Sequence, residues 1–103
     1  MKSYLLVVLN SDPLENNWWE QGLDIATTIV DLEGCVKVLL QGKMLDSIAD
    51  MSADQTVLKK LKQLSLFGIE TYSLSPVDNL QVSVVMKPDL EEILANAKAV
   101  MEF

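Results

Sequence analysis

The sequence predicts a three-layer α/β domain, a mostly parallel five-stranded sheet with helices on both faces. Three observations lead there. Short apolar runs alternate along the chain with amphipathic stretches of helical spacing. A strand, a helix and a strand open the sequence, the order of a right-handed parallel βαβ unit. The 103 residues suit one domain, and residues 1–103 show no internal repeat, low-complexity tract or linker.

Tyr4 to Leu9 is a continuous apolar run that stops at Asn10-Ser11-Asp12-Pro13, as expected of a strand buried on both faces. Asn17 to Glu33 reads as a helix with two apolar stripes. Trp19, Leu23, Ala26 and Val30 form one; Trp18, Ile25, Ile29 and Leu32 form the other. A surface helix needs a single stripe, so the second points to something beyond the sheet, such as another subunit. Gly34 is the expected left-handed cap. Cys35 to Leu40 is the second strand. Met44 to Ala49 is a weak helical turn. Ser52 and Gln55 have capping-box spacing ahead of a helix with Val57, Leu61 and Leu64 inside, ending near Phe67-Gly68.

Ile69 to Leu74 is the third strand and Leu80 to Met86 the fourth. The loop between them, Ser75 to Asn79, is short for a parallel crossover. The fourth strand is therefore expected to run antiparallel or to lie away from the third. Pro88 suits the first turn of a last helix, with Asp89, Glu91 and Glu92 at its positive end. Leu90, Ile93, Leu94 and Ala97 have the spacing of one helical face, and Ala99 to Phe103 closes the chain as a strand.

Composition narrows function. Half the residues are hydrophobic, more than a thin core consumes, so an oligomer is expected. Eight lysines stand against fifteen acidic residues, a net charge of −7, with neither Arg nor His. An acidic chain without the guanidinium fork is a poor ligand for nucleic acid or an anionic membrane. Without His, and with one Cys, the usual zinc sites, His-based triads and an internal disulfide are excluded. No metal and no cofactor are expected. The first apolar run is too short for a signal or a membrane span, which leaves the cytoplasm as the expected location.

Ligands of open α/β sheets bind beyond the carboxyl ends of the strands. Those ends carry Asn10, Ser11 and Asp12 and then Gln41, Gly42 and Lys43, a candidate pocket rim. It matches neither a GxGxxG turn nor a P-loop. Cys35 opens a strand just past a helix C-terminus, where the dipole disfavours a thiolate, and it reads as a small buried hydrophobe. Trp18 and Trp19 point about 100° apart on a helix, and one of them is a candidate interface anchor.

Three segments in order resemble the DsrF/TusC-like branch of the DsrE/DsrF-like sulfur-relay family. Glu20-Gln21-Gly22-Leu23-Asp24 resembles its first helix. Leu66-Phe67-Gly68-Ile69-Glu70 resembles its turn into the third strand. Val84-Val85-Met86-Lys87-Pro88 through Leu94-Ala95-Asn96, with Phe103, resembles its last strand, helix and terminal strand. The resemblance implies a flavodoxin-like protomer in a homo-oligomer or a hetero-oligomer with DsrE-like chains. It also implies persulfide relay in tRNA thiolation or sulfur oxidation. Catalytic members carry their cysteine just after the third strand; here that position is Ser75, and the helix that usually follows is contracted to Ser75–Asn79. A serine hydroxyl cannot hold a persulfide, so the resemblance implies a non-catalytic structural or regulatory subunit. Two rivals stand beside it: a sulfurtransferase using Cys35, and a small-ligand-binding flavodoxin-like module using the rim.

Overall fold

The computed structural model describes residues 3–51, 55–78 and 80–103. In chain order the elements are β1 (Tyr4–Leu9), α1 (Trp18–Asp31), β2 (Val36–Leu40), α2 (Gly42–Ala49), α3 (Thr56–Leu66), β3 (Glu70–Ser73), β4 (Ser83–Val84), α4 (Lys87–Asn96) and β5 (Ala97–Glu102). The five strands form one sheet in the order β4-β3-β2-β1-β5, every pair parallel.

Handedness explains the layers. From β1 to β4 the chain steps across the sheet in one direction, so right-handed crossovers put their connections on one face. The step from β4 back to β5, beside β1, reverses direction and sends α4 to the other face. Each face is then read by strand alternation. On the first, Val7, Leu9, Val38 and Leu40 meet Trp19, Leu23 and Ala26 of α1, Met44 and Ile48 of α2, and Leu58, Leu61 and Leu64 of α3. On the second, Tyr4, Leu6, Val8 and Leu39 meet Leu90 and Ile93 of α4.

The fourth strand departs from expectation. It is parallel to β3 and directly beside it, with Tyr72 opposite Ser83 and Ser73 opposite Val84. The connection succeeds as a crossover, with no helix among its described residues, because Val77 and Leu80 bury into the first-face core, at 5% and 9% exposure. Those two side chains thus close the core where a helix would. With Leu80 turned inward, pairing starts only at Ser83, so the strand expected over Leu80 to Met86 shrinks to two residues.

Helix ends follow local rules. After α1 the left-handed residue is Glu33 (φ 62°), one position before the expected Gly34. The Glu33 N–H donates to the Val30 carbonyl and the Gly34 N–H to that of Ile29, the paired bonds of a Schellman end. Gly34 is still needed, because a Cβ there would lie 2.6 Å from Ile29 Cγ2. α3 ends the same way with Gly68 in the left-handed position (φ 73°): Gly68 donates to Ser65 and Ile69 to Leu64. The capping box expected from Ser52 lies outside the described residues.

Candidate functional site

The carboxyl ends of the strands lie in one row. Leu9 pairs with Leu40 and Leu40 with Ser73, so Asn10, Gln41 and Leu74 share a rim with Ser75 one residue beyond. The structure brings the two rim segments together. Gly42 takes a left-handed turn (φ 60°), and the Asn10 side chain fills the space above it, with Oδ1 2.0 Å from where a Cβ would sit. The Met44 N–H donates to the Asn10 carbonyl at 3.3 Å. Asp12 accepts from the Leu14 N–H at 2.9 Å and the Ser47 hydroxyl at 2.8 Å. Those two bonds, with the nearby Lys43 charge, hold its carboxyl below the usual range.

This rim is largely occupied by the protein itself. The strand order reverses between β1 and β5, the place where such sheets open a crevice. Phe103 closes it. Its carbonyl accepts from the Asn10 and Ser11 N–H groups at 2.7 and 3.0 Å. Its ring lies over Gly22, where an added Cβ would come within 3.0 Å of it. Asn10, Ser11, Asp12, Gln41, Gly42 and Lys43 thus form a hydrogen-bonded junction between the loop after β1 and the start of α2.

Ser75 is exposed at this same end. Buried Ser73 supports the turn by donating its hydroxyl to the Ser75 carbonyl at 2.5 Å. The thiol is elsewhere. Cys35 lies at the amino end of β2, beside Glu33, Gly34, Phe67 and Gly68. It is exposed rather than buried, which corrects the sequence expectation. It precedes the first residue of β2, so only its backbone joins the sheet, accepting from the Leu5 N–H at 3.0 Å. The tryptophans separate as their angular offset requires. Trp19 is 3% exposed and belongs to the core, whereas Trp18 is 58% exposed, so only Trp18 is available to a partner. Trp19 Nε1 is buried and makes no hydrogen bond.

A second cluster escaped sequence reasoning. On the α4 face a groove of about 420 Å³ is lined by Tyr4, Lys37, Tyr72, Asp89, Glu92 and Ile93, among others. The Lys37 ammonium lies 4.5 Å from the Tyr4 ring centre and 5.5 Å from that of Tyr72. It pairs with Glu70 at 3.4 Å and donates to the Tyr72 hydroxyl at 3.3 Å. Tyr72 in turn donates to Glu70. Burial opposes the charge on Lys37, but Tyr72 and Glu70 outweigh it and its pKa is raised. Glu70 is held below its ordinary value, mainly by the Tyr72 hydroxyl. Burial, followed by donation to Glu70, raises Tyr72. The available signal was one charge, Lys37, inside the run Val36 to Leu40; its partners come from other strands.

Among the described residues, no group of three Cys, Asp or Glu side chains is placed to hold a metal ion. No described helix is long and apolar enough to cross a membrane. No protein-family model and no curated protein matches the sequence. Among solved structures, the chain is similar to the crystal structure of the ychN protein from E. coli. The TM-score is 0.75 at 14% identity, and the match covers 100% of this chain and 100% of that one. At that identity the likeness is one of fold, and the fold is a three-layer α/β sandwich with an all-parallel five-stranded sheet.

Proposed function

We propose that this chain is a non-catalytic structural or regulatory subunit of a cytoplasmic DsrE-like sulfur-relay oligomer. One observation carries the proposal. The carboxyl end of β3, where a relay protein of this fold needs its thiol, presents Ser75, and the only cysteine sits at the opposite end of the sheet. A serine hydroxyl is too weakly acidic to provide the nucleophile that accepts sulfane sulfur. Exposed Leu14, Trp18 and Leu74 at the same end supply apolar area for a protein neighbour. The DsrF/TusC-like branch is part of this proposal and rests on the sequence resemblance. The test is mass in solution, alone and after co-expression with cysteine-bearing DsrE-like chains. A stable hetero-oligomer is expected; a monomer that binds none of them contradicts the proposal.

A second function is favoured by a specific observation, the exposure of Cys35. As a sulfurtransferase nucleophile it would react with thiol reagents in the native protein and move sulfur to an acceptor. Sulfur transfer lost in C35S would establish that activity, whereas transfer equal to buffer alone would remove it. The small-ligand module has less support, since Phe103 and Asn10 fill the crevice it would use.

A further inference from the structure

The first face is unfinished at one margin. Register carries it outward from the core: Val38 pairs with Thr71, Leu40 with Ser73, and Ser73 with Val84, and paired residues share a face. Val38, Leu40 and Ser73 are fully buried, whereas Val84 is 51% exposed. Parallel sheets ordinarily carry helices over both faces. Between β3 and β4 no helix stands among the described residues. Val77 and Leu80 close the core there but do not fill the width of a helix.

What remains is a trough between α3 and β4. Two hollows of about 320 and 350 Å³ share Ser65, Thr71 and Gln81, and so run into one another. One wall is α3, with Lys62 and with Leu66 at 84% exposure; the other reaches Ser83 of β4. Thr71 lies between them. It is 8% exposed, and its hydroxyl bonds to no described residue. Among the described residues the one sealed side-chain polar atom without a partner is Trp19 Nε1. The Thr71 hydroxyl therefore opens on the trough, a buried polar group left for whatever fills it.

Charge selects the occupant. The chain carries −7 overall, yet the α3 wall is basic. Lys59 and Lys62 are exposed, three residues apart and hence neighbours on the helix surface, and neither pairs with a described residue. The residues lining the hollow beside Lys62 include no carboxylate. Glu70, which borders the other hollow, is already held by Lys37 and Tyr72. We propose that a helix of a protein partner docks in this trough, one apolar stripe against Leu66 and Val84 and its Asp or Glu side chains beside Lys59 and Lys62. It takes the place of a crossover helix, packed alongside α3 at the usual interaxial distance of about 10 Å, and completes the layer.

This inference deepens the assembly part of the proposed function and rests on it for the existence of a partner chain. The probe is a synthetic helix-forming peptide with a leucine stripe flanked by glutamates; the control has lysines in their place. Anisotropy of the labelled peptides reads binding. The wild type is expected to bind the Leu/Glu peptide more tightly than the Leu/Lys peptide, against its own net charge. K59E/K62E should weaken that binding about tenfold, since two attractions become two repulsions, and L66A should weaken it several-fold. These are exposed positions, so thermal melts of both variants should match the wild type. K87E/K98E makes the same charge change elsewhere and should bind as the wild type does. A Leu/Glu peptide bound no better than the Leu/Lys peptide, or α3 variants that bind like the wild type, overturns the trough. So does self-association that K59E/K62E abolishes, because a second copy is then the occupant. Co-expression with DsrE-like chains separates the two claims. A hetero-oligomer that forms unchanged in K59E/K62E overturns the trough and leaves the proposed function standing. Peptide binding as expected with no hetero-oligomer does the reverse.

Discussion

The two faces of the sheet are built to different standards. On the first, three helices together with Val77 and Leu80 bury a continuous core that runs from Trp19 through Leu61 to Leu80. On the second, α4 crosses alone, and none of its described side chains is fully buried. The second face also carries the Lys37–Glu70–Tyr72 cluster and its groove, and it borders the open β5 edge. The first face holds the fold together, and away from its β4 margin it is the second where apolar and charged groups remain free to meet another molecule. Substitutions can break or sharpen that contrast.

The largest effect is expected on the first face. Leu61, 1% exposed, should lose about 2–5 kcal/mol as Leu61→Ala through lost burial and the cavity left behind. Ile93→Ala on the second face, at a half-buried position, should cost about half as much. Denaturant melts of the two variants measure the contrast directly; equal losses would break it.

Two glycines with nearly the same backbone angle sharpen it further. Gly42→Ala must accept φ near 60° and displace the Asn10 side chain, for a cost of about 1–3 kcal/mol. Gly68→Ala has a φ of 73° but open space around its Cβ, so only the backbone penalty of about 1 kcal/mol remains. Thermal melts should rank Gly42→Ala below Gly68→Ala, and N10A should recover part of the Gly42→Ala loss.

The smallest effects are electrostatic. Lys60 pairs with Glu20 at 2.7 Å, but both side chains are about two-fifths exposed (43% and 39%). K60A should therefore shift stability by no more than about 1 kcal/mol, less in high salt. The Asp12 contribution changes only in acid. Its folded pKa is lowered from 3.8, so its stabilisation is complete above the unfolded value and is lost as pH falls through the lower folded one. The stability difference between wild type and D12N should shrink across that acid window, as melts at successive pH values would show.

Local chemistry made much of the fold legible. The apolar runs at Tyr4–Leu9 and Val36–Leu40 became the central strands, and Pro88 with Asp89 marked the start of α4. What was not legible depends on contacts distant in sequence. Val77 looks like a loop residue and Leu80 like the start of a strand until the first face is assembled and both bury into its core, which lets so short a crossover run parallel. The run from Leu80 to Met86 promised a long strand, but pairing begins only at Ser83, after Leu80 has turned inward. At the candidate site the rim could be located from the strand ends alone. Its closure by Phe103 could not, because that residue comes from the other end of the chain. Cys35 escaped for a related reason. Its place at the head of a strand, just past a helix C-terminus, suggested a buried, inert thiol, yet it sits one residue ahead of the ladder.

The central claim is that this chain assembles but does not carry sulfur. The most direct measurement is turnover of thiosulfate sulfur to cyanide by the purified wild type, with C35S alongside. The account predicts that both proteins run at the buffer rate. Catalysed turnover by the wild type that disappears in C35S would contradict it.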